Sequence, residues 1–294
     1  MYLKQFDRST SSIIKYLPFV LGFLGFMGLN LLASIILNID ANSVIVAKIA
    51  TVGKNKAFFD ILSPFVLLLV FLFFLWRFLH RYSIRSLTTS RSTVDWNRIS
   101  FSFFLWLGIN IFVFGVMFWM NPDDYQLQFN WASFLMLFIL TIILVPIQTS
   151  FEEYFFRGYL LQFIAFLSKN RAVALILTSV IFGLMHMGNP EVGDLGAGLM
   201  IYYIGSGLFL GIMTLMDDGL ELALGFHAAN NIIGALLVTS ESVVFQTDAI
   251  FLYTGVSTVY ELLVQVFIIF PILLLIFSKK YNWKNWKKNL FKSL

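Results

Sequence analysis

Residues 141–167 read TIILVPIQTSFEEYFFRGYLLQFIAFL, an overwhelmingly apolar run with Glu152, Glu153 and Arg157 at its middle. At about 1.5 Å per residue, such a run is long enough to cross the ~30 Å hydrocarbon core of a bilayer. No water in that core can satisfy exposed peptide groups, so a spanning segment of this kind is a helix. Ionisable side chains at that depth are costly, and where they persist they usually serve function. Glu153 and Arg157 are four residues apart and can touch on a helix, with the glutamate on the favourable N-terminal side. Glu152 is rotated by about 100° and can face a cavity while its neighbour is neutralised. That makes Glu152 the candidate general base. Taken alone, the segment also fits a structural Glu–Arg pair holding two helices.

Composition extends the membrane reading to the whole chain. Of 294 residues, 59% are hydrophobic and 12% charged, against about 45–50% and 25% in soluble domains. A buried core cannot absorb that excess, so lipid is the solvent for much of the surface. The 34 phenylalanines read as lipid-facing bulk and interfacial belts. The absence of cysteine excludes disulfides, thiolate metal sites and a cysteine nucleophile. The net charge of +4 sits beside apolar runs. It therefore reads as orientation in a membrane, and no nucleic-acid partner is expected. The apolar run Leu17–Leu37 is too long for a cleaved signal and reads as a retained first span.

Spans are expected near 17–38, 58–79, 101–120, 131–150, 172–187, 198–216, 220–238 and 257–277. The fold class is thus an all-α polytopic membrane protein with about eight transmembrane helices around an intramembrane polar cavity. Residues 1–294 form one transmembrane domain. Lys4, Arg8 and Lys15, the arginines from Arg77 to Arg98, Lys169 with Arg171, and the lysines of the tail fall on one side. The alternate loops are acidic or poor in charge, which places both termini in the cytoplasm. Lys48, Lys54 and Lys56 outside, and Asp217 and Asp218 inside, are exceptions. In the tail 281–294, Trp283, Trp286, Leu290 and Leu294 recur at helical spacing among lysines, the pattern of a basic amphipathic helix on an anionic leaflet.

Two further elements carry polar groups. The chain has three histidines. His80 lies in the arginine-rich loop and is expected to be solvated. His186 shares a helical face with Phe182. Glu152 and His186 are equally distant from the turn Lys169-Asn170-Arg171, so antiparallel helices hinged there bring them to one depth, about 25 Å of helix from the turn. In Gly225-Phe226-His227-Ala228-Ala229-Asn230-Asn231, His227 and Asn231 are one turn apart, and small residues including Gly234 permit close helix approach. Counting spans puts Glu152 and His186 toward the outer half, yet His227 lies only about ten residues from its inner turn. Pro146 offers a kink there.

One acid, two imidazoles and an amide suit water attack on a peptide bond. Glu152 would take a proton from water and pass it to the leaving amine, with His186 holding the water or assisting. His227 and Asn231 would donate to the oxyanion. Alternatively Glu152, His186 and His227 would ligate Zn²⁺ with a water at the open position. There is no HExxH motif.

The three elements Glu152-Glu153…Arg157, Phe182…His186 and His227…Asn231 resemble the pattern EExxxR, FxxxH and HxxxN of the CPBP intramembrane peptidases. This family comprises the CAAX prenyl proteases of Ras-converting type and the bacterial Abi, or bacteriocin-processing, proteins. The resemblance covers about 130–240. It implies a helical membrane fold with a buried cavity and an intramembrane endopeptidase acting on a peptide or protein substrate. Glu152 would be the catalytic base, Glu153 and Arg157 its support, His186 the second catalytic or ligand position, and His227 with Asn231 the oxyanion site. It leaves open a zinc-dependent or a metal-free glutamate mechanism. The expected location is a bacterial inner membrane. A non-catalytic immunity or scaffold protein retaining the same constellation is the alternative, and a transporter or proton relay a further one.

Overall fold

The computed structural model describes residues 2–4 and 14–293. Arg8 of the basic leader and Leu294 of the tail lie outside the described residues. Eight principal helices order the chain. They are α1 (Leu17–Ile36), α2 (Lys54–Leu79), α3 (Trp96–Met120), α4 (Trp131–Ser168), α5 (Arg171–Leu184), α6 (Leu199–Asp217), α7 (Glu221–Leu236) and α8 (Val259–Tyr281). A helix therefore stands at each expected place. Among the described residues, however, only six are long and apolar enough to cross a membrane; α5 and α7 are the exceptions. With 14 and 16 residues they rise about 21 and 24 Å, short of the hydrocarbon thickness.

Helix α4 runs unbroken for 38 residues in place of the expected span 131–150. Pro146 sits inside it without ending it. Its turns widen to a π-type stretch at Tyr154–Leu160, directly after Glu153. Such bulges re-aim the faces of a helix and are frequent at functional sites. Residues 155–166 are all buried in protein, which is how an apolar helix far longer than the bilayer is accommodated. The helix stops at Lys169, which adopts a left-handed φ of 53°, and the Asn170 side chain then caps α5 by accepting from the amides of Ala172 and Val173. The turn expected at 169–171 is present.

Close backbone approaches seat the two short helices. A Cβ on Gly225 would collide with the backbone carbonyl of Ile99, so α7 lies directly on α3. One on Gly207 would come within 2.9 Å of the Ser179 backbone, where α6 meets α5. Gly234, expected to serve the same end, faces open space. The turn before α7 is internal: Gly219 pairs with Thr89, and Glu221 is fully buried. Because α7 starts inside the protein, His227 reaches the level of Glu153 despite its short distance from the turn.

Of the exceptions to the charge bias, Asp217, Lys48, Lys54 and Lys56 find opposite charges within the protein, and Asp218 accepts from the Tyr2 backbone N–H at 2.8 Å. Arg91 bridges Asp217 and Glu221 at 3.1 Å each, and Arg98 also binds Asp217. On the other side Lys48 and Lys56 pair with Asp60, and Lys54 lies 3.7 Å from Asp248. There the loops form a small sheet, with β1 (Tyr125–Leu127) antiparallel to β3 (Phe251–Tyr253) and β2 (Val238–Thr239) parallel to it. Among the described tail residues beyond α8, Trp286–Phe291 forms the one short helix; Trp283 and Leu290 are buried against protein while Phe291 stays exposed. Trp283 donates its indole N–H to Asp217 at 3.0 Å.

His80 is not solvated. It is 6% exposed, with Nε2 2.9 Å from the Tyr159 hydroxyl and its ring 4.4 Å from that of Tyr16. Burial, with a contribution from Lys15, pushes its pKa down to about 4. The fold thus favours neutral His80, while the unfolded chain takes up the proton near pH 6.5. This contribution is complete above pH 6.5 and is lost as pH falls toward 4. Melting temperature in detergent should drop across that window, and the drop should be smaller in His80→Phe.

Candidate active site

The site is built around Glu153. Its side chain is fully buried, and Oε1 accepts from Arg157 Nη1 at 2.9 Å and from His227 Nδ1 at 2.7 Å. The expected pairing with Arg157 is present, but Glu153 is also the anchor for His227. Arg157 is buried as well; Nη2 donates to the Gly207 carbonyl at 3.3 Å, and the guanidinium lies 4.2 Å from the Phe182 ring centroid. One charge pair on α4 thereby fixes α7 through an imidazole, α6 through a backbone carbonyl and α5 through an aromatic face.

An ionised carboxylate only accepts hydrogen bonds, so His227 Nδ1 carries the proton it gives to Glu153. The other ring nitrogen, Nε2, faces Glu152 Oε2 at 3.6 Å. Glu152 lies on the adjacent face of α4, as its rotation requires. Its Oε1 accepts from the Gln148 amide, while its buried Oε2 has no hydrogen-bond partner. Asn231 donates from Nδ2 to Gln148 Oε1 at 3.1 Å and retains a second N–H. The proton His227 would offer to an oxyanion is committed to Glu153. Asn231 is thus the neutral donor left in the expected pair.

His186 lies just past the end of α5. Nδ1 donates to the Phe182 carbonyl at 2.8 Å, so in the neutral ring Nε2 is the acceptor, and the ring stacks on Tyr203 at 4.3 Å. The Phe182 ring lies 4.7 Å from the His186 ring and 6.2 Å from that of His227. Glu152 and His227 are within electrostatic reach of His186. Helices α4, α5 and α7 therefore bring Glu152, Glu153, Arg157, His186, His227 and Asn231 into one locale. Glu152 and His227 face each other directly, and both imidazoles lie against the Phe182 ring.

Gln148, Asn230 and Trp106 were not expected there. Gln148 has a sequence signal, being polar in an apolar run and one turn before Glu152. Asn230 adjoins Asn231 in the same motif. Trp106, on α3, has none. As for zinc, no three histidine, aspartate or glutamate side chains converge in a metal-ligating group among the described residues. His227 Nε2 and Glu152 Oε2 lie 3.6 Å apart, but no third such side chain joins them in a ligating group among the described residues. The donors as placed do not supply the three protein ligands of a catalytic zinc.

Comparison with known proteins falls on the segment that carries this geometry. Residues 130–233 match the family of the type II CAAX prenyl endopeptidases, Rce1-like. This is the resemblance read from the motifs, and the Rce1-like segment encloses all six expected site residues. The chain is also 36% identical over 170 residues to YyaK, an uncharacterised protein of Bacillus subtilis (strain 168). That similarity covers 58% of this chain and 57% of YyaK. No solved structure matches.

Removing one member of a buried ion pair leaves the other charge uncompensated, at a cost of about 3–5 kcal/mol. Arg157→Leu should lower stability to denaturation in detergent by roughly that amount, and the double variant Arg157→Leu/Glu153→Gln should recover part of it.

Proposed function

We propose that the protein is an intramembrane endopeptidase that hydrolyses a peptide bond with a water activated by Glu152. The observation that carries this reading is the pair Glu152 Oε2 and His227 Nε2, 3.6 Å apart, two acceptors held face to face by Glu153 behind the imidazole. A water placed between them gives one hydrogen to each and turns a lone pair outward. As that oxygen attacks the carbonyl carbon, Glu152 takes a proton from it and the carbonyl becomes an oxyanion. The free N–H of Asn231 is the donor for that oxyanion; a single such donor in a water-poor site contributes about 3–4 kcal/mol. Glu152 then returns the proton to the amine nitrogen, the C–N bond breaks, and a carboxylic acid and an amine leave. The free nitrogen of His186 assists the water or the transfer. Glu153 and Arg157 support the site without reacting.

The match to CAAX prenyl endopeptidases supports a substrate class of membrane-embedded or lipidated peptides, and maturation of a bacteriocin-like peptide fits the same chemistry. The charge bias supports both termini in the cytoplasm, and the similarity to a Bacillus subtilis protein supports a bacterial cytoplasmic membrane.

The test is Glu152→Gln, which keeps size and hydrogen-bonding reach but removes the base. Protein in liposomes would be offered a farnesylated peptide ending in the CAAX sequence. In parallel, new N-termini would be compared by proteomics in cells producing the wild type or the variant. The variant should melt like wild type and lose at least 100-fold in cleavage rate. Equal cleavage by both proteins would remove Glu152 as the base, and no cleavage by either in both assays would point to the non-catalytic scaffold instead.

A further inference from the structure

Four hydrogen bonds in series end on the carboxylate of Glu152. Trp106 Nε1 donates to Asn230 Oδ1, Asn230 Nδ2 to Asn231 Oδ1, and Asn231 Nδ2 to Gln148 Oε1, each at 3.1 Å. Gln148 Nε2 then donates to Glu152 Oε1. The chain passes from α3 through α7 to α4.

Its direction is set at both ends. An indole N–H can only donate, and an ionised carboxylate can only accept. Every amide between them must therefore present oxygen toward Trp106 and nitrogen toward Glu152. Reversing any one would set two donors or two acceptors against each other at two junctions. Aligned bonds of this kind polarise one another in a low-dielectric interior.

From this we propose that Trp106, Asn230 and Gln148 are positioning residues for the hydrolysis, an inference that rests on the peptidase reading of Glu152. None of the three touches the water or the peptide in that reading. Their work is orientational. The relay holds Glu152 Oε1 on Gln148, so that Oε2 alone faces His227 and the water. It also fixes which end of the Asn231 carboxamide is nitrogen, so that the remaining N–H is offered to the oxyanion. One chain thus sets both the base and the oxyanion donor. The anchor is rigid: Trp106 is 2% exposed and packs on the Phe226 ring at 4.5 Å. Gln148 is 5% exposed.

The test uses full-length protein in liposomes with the farnesylated CAAX peptide, or a synthetic copy of a peptide found in the N-terminal comparison. Gln148→Met keeps side-chain length but neither donates nor accepts in the relay. Asn230→Leu cuts the chain one residue further back, at a partly exposed position. Each should lower kcat about 10- to 100-fold, the scale of small misplacements of reacting groups, with KM within about twofold. The double variant should be no slower than the worse single variant, because both cut one chain. Trp106→Phe should shift kcat in the same direction. Wild-type kcat in Gln148→Met and Asn230→Leu while Glu152→Gln is inactive would overturn the relay and leave the peptidase reading standing. So would multiplicative losses in the double variant, or a loss confined to KM. If Glu152→Gln is as active as wild type, Glu152 is not the base and the relay's role falls with it.

Discussion

A buried carboxylate must be paired, and the pairing of Glu153 is the constraint on which the rest of the structure depends. A lone charge in a low-dielectric interior costs several kcal/mol even after relaxation. Glu153 meets that cost with Arg157 below it and His227 beside it, on a single oxygen. Each partner comes with attachments: Arg157 binds the Gly207 carbonyl and lies over Phe182, while His227 turns its free nitrogen to Glu152. Four helices are thus arranged around one side chain. The arrangement requires close approach, which Gly207 and Gly225 permit where any larger residue would meet backbone.

Adjacent glutamates on one helix acquire opposite fates from this arrangement. One is clasped by two donors on a single oxygen, while its other oxygen is buried without a partner. The other turns its unpartnered oxygen toward a nitrogen whose tautomer its neighbour has chosen. Chemistry at a peptide bond needs such a poised acceptor, and a preorganised site supplies it without rearrangement during the reaction. The π-type turns after Glu153 belong to the same arrangement, since they change the register at which Arg157 and the residues beyond it face their neighbours.

Much of this was legible in the sequence because it is local. The four-residue spacing of Glu153 and Arg157, the turn at 169–171 and the shared face of His227 with Asn231 follow from helical geometry alone. Membrane immersion follows from composition. What was not legible depends on partners distant in the chain. The burial of His80 comes from Tyr16 and Tyr159, and that of Trp283 from Asp217. The short length of α7 goes with its burial among other helices, which hydropathy does not record. The pairing of Asp217 with Arg91 and Arg98 turned an apparent exception in the charge pattern into an internal ion cluster. The link from Trp106 to Asn230 spans 124 residues and has no sequence signature.

The arrangement around Glu153 can be examined directly, because the chain has only three histidines. Nitrogen-15 spectra of histidine-labelled protein in lipid nanodiscs, assigned by single substitution, report the tautomer of each ring. His227 is predicted to hold its proton on Nδ1 in a strong hydrogen bond, with a signal that shifts sharply in Glu153→Gln. A His227 ring that exchanges between tautomers as a solvated imidazole does, and that ignores Glu153→Gln, would contradict the account.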